Sequence, residues 1–313
     1  MATWAGHNTY DNNYATGTLK YDVSEAIWRI TPDDTPFYNM TGDTVATATL
    51  HEWLEEELTV RSDNAVEEGA AWGTFTAPVS QERVQNRVQT LKTTVSVTRM
   101  MQRVRQWGIS DMFGSNMLKR MREWKTDAEH ALIRGSGDAA ASAGVAGRMD
   151  GVLWALTGVG GVDAVTVTAP VGAVTFTEEQ FNDMHERAWN LGGFPEDCLV
   201  GSLMKRRISS FQSSADNSYF NVDNTKVRNT ISVYESDFTT VQVHLSRDMR
   251  NTAAGDAADV LLVTAPMFKK AWIDKPFAQR TPPVGDAMYG VILGDLTLET
   301  GARKAHQVLV NTN

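Results

Sequence analysis

The longest helical pattern in this chain runs from Asp111 to Arg134. Met117, Met121, Trp124, Ala128 and Ala131 recur at spacings of four, three, four and three, which puts them on one face of an α-helix. Lys119, Arg120, Arg122, Glu123, Lys125, Asp127 and Glu129 fall between them and need solvent or a charged partner. Ser110 or Asp111 can cap the start, and Gly114 is the one weak point. Gly135, before Ser136 and Gly137, is placed to end the helix in a left-handed conformation. At roughly 1.5 Å per residue the helix is about 35 Å long, a strut longer than the average globular helix. A long extended excursion precedes it and a compact α/β body follows.

The excursion spans 44–98. Thr47, Thr49, His51, Trp53, Glu55 and Glu57 alternate with Ala46, Ala48, Leu50, Glu52, Leu54, Glu56 and Leu58, a period of two that predicts strand. The return leg, Val79 to Thr98, ends in the β-branched run Thr93 to Thr98. Between the legs lies a polar tip, Arg61 to Gly73, with one large aromatic, Trp72. Two strands alone are marginal in water. A ribbon with so few apolar residues needs a partner surface, which points to self-assembly.

Residues 1–45 read as a poorly packed arm, with a short amphipathic helix over Asp22–Ile30 and an extended turn at Thr31–Pro36. Such an arm docks on a neighbour or on the body. After the strut, Gly137–Gly147 reads as a flexible loop, Met149–Gly161 as small and apolar, and Val162–Val174 as a strand or hairpin. Thr177 to Gln180 is a capping box, followed by a helix with Phe181, Met184, His185, Ala188 and Trp189 at core spacing. Asp197–Gly201 predicts a strand and Ser202–Phe211 a helix. Gln212–Asn224 reads as a mobile loop, and Ile231–Tyr234, Thr240–Leu245 and Asp259–Thr264 as strands. Met267–Ile273 continues the body, Pro276–Gly285 reads as a loop, and three strand-like runs close the chain: Tyr289–Leu293, Thr297–Glu299 and His306–Val310. The order predicts an α+β protein with an α/β layer.

The 313 residues suffice for one large domain or two ordinary ones, and 42% hydrophobic residues supply a core. No apolar run approaches the length of a membrane span, and the first residues lack the charged and apolar blocks of a secretory signal. The single cysteine, Cys198, excludes an internal disulfide and reads as a buried strand residue, not a nucleophile. A net charge of −9 argues against a dedicated nucleic-acid reader. Its distribution is uneven. Residues 99–125 hold seven basic side chains (Arg99, Arg103, Arg105, Lys119, Arg120, Arg122, Lys125) against Asp111 and Glu123. Residues 51–69 hold seven acidic ones (Glu52, Glu55, Glu56, Glu57, Asp63, Glu67, Glu68) against Arg61. These are two solvated faces, or two complementary ones, or a basic strut that faces a polyanion.

Catalytic patterns are missing. His51-Glu52-Trp53-Leu54-Glu55 starts like a zincin motif but has Glu55 where the second histidine belongs. Thr157 to Gly161 is glycine-rich without the lysine of a phosphate-binding loop or the glycine spacing of a dinucleotide site. No histidines stand at metal-ligand spacing. No catalytic, cofactor-binding or metal residues are assigned, and no enzyme is expected.

The order of parts resembles the Hong Kong 97-type major capsid protein of tailed bacteriophages, and more closely the SU-ten-like major head protein family. The stretches that carry the resemblance are Asp22–Ile27 with Asp34–Phe37, His51–Trp53 with Asn64–Gly69, Asn182–Gly193, Val233–Phe238, and Leu298-Glu299 with Ala305-His306. The resemblance implies an N-terminal arm over 1–45, an extended β-hairpin E-loop over 46–98, and a spine helix with the first part of a peripheral domain over 99–174. It implies an inserted axial domain over 175–285 and a return to the peripheral domain over 286–313. The implied function is structural: many copies form pentamers and hexamers of an icosahedral head around double-stranded DNA, bound without sequence preference. The implied setting is the virion, assembled in the bacterial host cytoplasm with portal, scaffolding and decoration proteins as partners and no membrane or cofactor.

Glu55, Glu57, Arg61, Glu67, Glu68 and Trp72 are then candidate inter-subunit residues of the E-loop. Arg103, Arg105, Lys119, Arg120, Arg122 and Lys125 are candidate spine partners for a neighbour, or face DNA. A near-neutral shell interior is the alternative to the second role. Some members of the fold cross-link an E-loop lysine to a neighbour's asparagine, but this chain has no lysine between Lys20 and Lys92, so a non-covalent shell is expected. With Met1 present, removal of an N-terminal scaffolding segment is not expected. The rival readings are a tail or decoration component, which self-associates without this order of parts, and a soluble binding module, which predicts a stable monomer with a ligand cleft.

Overall fold

A computed structural model describes residues 32, 34–59, 61–71, 73, 75, 79–104, 106, 108–137, 145–157, 176–214, 232–249, 259–283 and 285–310. The arm helix expected over 22–30, the hairpin over 162–174 and the loop residues 215–224 lie outside this set. So do Trp72 and Arg105.

The strut is helix α3 (Met112–Arg134). The Asp111 carboxylate accepts the Gly114 N–H at its start. Its end departs from expectation. Gly135 has φ −51°, outside the left-handed region. The glycine is needed because the Met149 carbonyl and Gly151 N–H crowd the place where a side chain would sit.

The helix packs on a four-stranded sheet of order β1 (Gly42–Val45), β9 (Phe268–Thr281), β10 (Ala287–Thr300), β4 (Gln89–Thr98), in which only the β1–β9 pair is parallel. Trp124 stacks on Trp272 with ring centroids 6.2 Å apart, and its indole N–H donates to the Leu91 carbonyl at 3.1 Å. Gly290 and Gly294 of β10 make room for this packing: a methyl at the first would strike Met117 and Phe113, and at the second Trp124.

Three sequence expectations change here. The run 93–98 is not a leg of the ribbon but part of β4, paired along its length with β10. Residues 276–281 are strand, not loop, and Met267–Ile273 runs into this same strand. Pro276 is tolerated because β9 bulges against β10 around it, where a missing N–H costs no ladder bond. Tyr289–Leu293 and Thr297–Glu299 are one strand, β10.

The second sheet has order β11 (Gln307–Val310), β8 (Asp259–Val263), β5 (Asp197–Val200), β7 (Thr240–Leu245), β6 (Val233–Glu235). Helices α5 (Glu178–Asn190) and α6 (Ser202–Ser214) cover one face, where Phe181, Met184, Met204 and Ile208 meet Cys198, Val200 and Leu262. The other face turns Leu199, Leu261 and Val308 toward Leu132 of α3 and Val152 and Leu156 of α4 (Val152–Thr157). A sheet covered on both faces explains why its central strands read as unbroken apolar runs. The Thr177–Gln180 capping box forms as expected.

The ribbon itself is short: β2 (Leu50–Glu55) pairs antiparallel with β3 (Glu82–Arg87). Two five-residue helices complete the described elements, α1 (Pro36–Met40) before β1 and α2 (Arg99–Arg103) before the strut.

Candidate functional site

The ribbon divides into a foot fixed to the body and an outer half that makes no ion pair to the body among the described residues. At the foot, Asn86 is buried, and its side chain donates to the carbonyls of Leu298 (2.7 Å) and Asp150 (3.0 Å) while accepting the Asp150 N–H (2.9 Å). The Trp53 indole donates to the Thr300 carbonyl at 3.0 Å, and His51 lies 3.2 Å from Glu299. Arg303, itself buried, donates to Glu55 at 3.0 Å and stands 3.2 Å from Glu82. Lys304 pairs with Glu57. Two of the candidate inter-subunit acids, Glu55 and Glu57, are thus engaged within their own chain.

Beyond the foot the described contacts are local, such as Ser62 to Asn64 and the Ala65 N–H to Asp63. Among the described residues, Arg61, Glu67 and Glu68 make no ion pair and are exposed. Leu54 is 61% exposed, Leu58 88%, Val66 83% and Phe75 86%.

The basic strut residues do not form one patch. Arg103 and Arg122 are exposed. Lys119 and Arg120 line an open groove of ≈ 1190 Å³ with Thr94, Ser96, Thr281 and Tyr289, and Arg120 pairs with Glu123 at 2.5 Å. Lys125 turns elsewhere: its ammonium donates to Asn39 at 2.7 Å and lies 5.0 Å from the Tyr38 ring centroid. Among the described residues no ribbon acid reaches the strut; Glu55 and Glu57 of the foot find Arg303 and Lys304 instead. The sequence reading missed that pair, although Arg303 and Lys304 are the only basic residues after Arg280.

It also missed a clamp on the segment before the ribbon. Glu129 was expected to need solvent or a charged partner, yet it is buried at 0% exposure and accepts the N–H groups of Phe37 (3.0 Å) and Tyr38 (2.5 Å). Burial pushes its carboxyl up to about 7, against the pull of those two hydrogen bonds. At the other end of α1, buried Lys270 donates to the carbonyls of Tyr38 (2.6 Å) and Thr41 (3.0 Å) and stands 3.3 Å from Asp43. Burial lowers the Lys270 ammonium, and Asp43 opposes the shift. One carboxylate and one ammonium from distant parts of the chain therefore satisfy the two ends of a short helix.

Among the described residues no three histidine, cysteine or acidic side chains gather to hold a metal, and no helix is long and apolar enough to cross a membrane. The Cys198 thiol is buried and pushed far up by desolvation, the state of an inert core residue.

In comparisons with solved structures, the fold is similar to the capsid of a native GTA particle, with TM-score 0.66 and 12% identity over 98% of this chain and 100% of that one. It is similar to a chain of Microbacterium phage Oxtober96, with TM-score 0.62 and 14% identity over 94% and 96% of the two chains. It is also similar to a chain of Mycobacterium phage Adephagia, with TM-score 0.62 and 10% identity over 94% of each. No curated protein matches in sequence. The profile of the SU10 major capsid protein family matches residues 6–313. A family match across almost the whole length leads to one assignment: this chain belongs to the SU10 major capsid protein family.

Proposed function

We propose that this capsid protein closes its shell by laying the outer half of its ribbon on a neighbouring copy. The observation that carries this reading is the contrast along one hairpin, which is riveted to its own body up to Glu57 and exposed and unpaired beyond. Exposed Leu58 and Val66 supply area, and Glu67 and Glu68 supply register against a basic surface that includes Arg103 and Arg122. Trp72 and Arg105 are assigned to the same contact on their positions in the sequence.

The contacts around five- and six-fold axes are assigned to the two-face-covered body. We place them within 176–263, because 268–281 belongs to the sheet under the strut. Lys119 and Arg120 are the basic residues best placed to meet packaged DNA through phosphates, without reading sequence. Lys125 is committed to Asn39 and Tyr38. The shell is non-covalent, and portal, scaffolding and decoration proteins are its proposed partners.

The test is negative-stain electron microscopy with light scattering on the chain expressed alone and with its scaffolding protein. Wild type should give closed shells or capsomer rings that run as monomers on a denaturing gel. The charge reversal Glu67→Lys with Glu68→Lys should impair assembly while leaving the monomer folded. Normal shells from that variant would remove the register role, and a monomer under all conditions would remove the reading.

A further inference from the structure

We propose that residues 34–45 form a strap whose closure on the strut helix is coupled to a proton on Glu129. This device belongs to the single chain and does not depend on how copies assemble.

The holds on the strap are unlike one another. Phe37 is buried against Phe268, with ring centroids 5.7 Å apart. β1 adds four residues at the edge of its sheet. Asp34 pairs with Arg247 at 3.4 Å in solvent, which contributes little. Asn39 accepts from Lys125, Tyr38 packs edge-on against Trp272, and Asp43 accepts from the Trp272 indole and from Lys275. The two charged clamps add to these holds. Lys270 keeps its carbonyl partners whatever the state of Glu129. Glu129 is different, because its buried carboxyl meets the N–H groups of Phe37 and Tyr38 directly.

The charges that face Glu129 do not rescue its ionised form. Asp248, in the turn after β7, raises its proton affinity; Lys125, one turn earlier on the strut, lowers it; Lys270 approaches from β9. Asp127 and His130 flank it on the helix, and His130 is 3.1 Å from Asp248. Burial dominates, so the closed strap holds a proton that the open strap releases.

The sign follows from linkage. Closed, Glu129 titrates at about 7; open and hydrated, near its ordinary 4.5. The closed form binds the extra proton between those values. Closure is therefore fully favoured below 4.5 and weakens as pH rises to about 7, by up to about 300-fold, then levels. His306 carries the opposite dependence. Its imidazole is buried and lowered to about 4, so the folded chain loses stability as pH falls from 6.5 toward 4. The two oppose each other in a global measurement, and a local one is required.

The experiment is hydrogen exchange by mass spectrometry on the full chain between pH 4.5 and 8, corrected for intrinsic rates. Opening of peptides within 34–45 should rise up to about 300-fold and plateau near neutrality. Peptides covering β5 and β8 should not follow. Glu129→Gln should flatten the rise, and Asp248→Asn, which leaves the carboxyl in place, should move the plateau to lower pH. Opening independent of pH in wild type, an unchanged rise in Glu129→Gln, an unmoved plateau in Asp248→Asn, or parallel opening of β5 and β8 would each overturn the proposal.

Discussion

The five-stranded sheet and the two-stranded ribbon use the same hydrogen-bonding chemistry and reach opposite outcomes. Every residue of Asp259–Val263 in the sheet is buried, whereas no residue of Leu50–Glu55 in the ribbon is. Helices cover both faces of the sheet. The ribbon borrows its hold from the loop at Arg303 and Lys304 and from the end of β10. One region has closed its interfaces within the chain. The other leaves them open, which suits a protein that must fold alone and then join many copies of itself.

Three substitutions test how far this contrast goes. The largest effect is expected in the body. Trp124→Ala removes a fully buried side chain from between the strut and its sheet and should cost about 3–5 kcal/mol in a urea titration. A loss under about 1 kcal/mol would mean that the strut is not integral to the body. At the boundary between the regions, Arg303→Met leaves Glu55 and Glu82 without their partner. It should cost about 2 kcal/mol and speed proteolysis within 50–87. Unchanged cleavage would show that Asn86 and Trp53 hold the foot unaided. The smallest effect on stability is expected beyond the foot. Leu58→Ser, at an exposed position, should stay within about 0.5 kcal/mol of wild type while lowering shell yield. Full yield would move the contact to other residues.

The elements whose pattern is local were legible in the sequence. The apolar spacing from Met117 to Ala131 predicts α3, though Met117 and Met121 are only half-buried. The run Asp259 to Val263 and the capping box at Thr177 gave their elements directly. Pairings between distant residues were not legible. Nothing near Thr93–Thr98 says that its partner is Ala287–Ile292 and not the strand it follows. Pro276 reads as a loop because the bulge that accommodates it lies in its pairing with a strand after it. Glu129 was expected to need solvent or a charged partner because residue type alone cannot show a carboxyl group meeting two N–H groups 92 and 91 positions away. At the candidate site, the charge asymmetry between 51–69 and 99–125 was visible. That the inner acids are claimed by Arg303 and Lys304 was not.

The foot around Asn86 also has a mechanical meaning. A side chain that ties β3 at once to β10 and to the Asp150 turn fixes the direction in which the hairpin leaves the body, like the mounting of a boom. Past that mounting, Arg61, Glu67 and Glu68 make no ion pair among the described residues. In a closed shell, identical chains sit beside neighbours at several different angles. On the proposed reading, a boom fixed at its base lets the copies absorb those differences through its outer contacts, so curvature can vary from place to place without repacking Trp124 or Leu261.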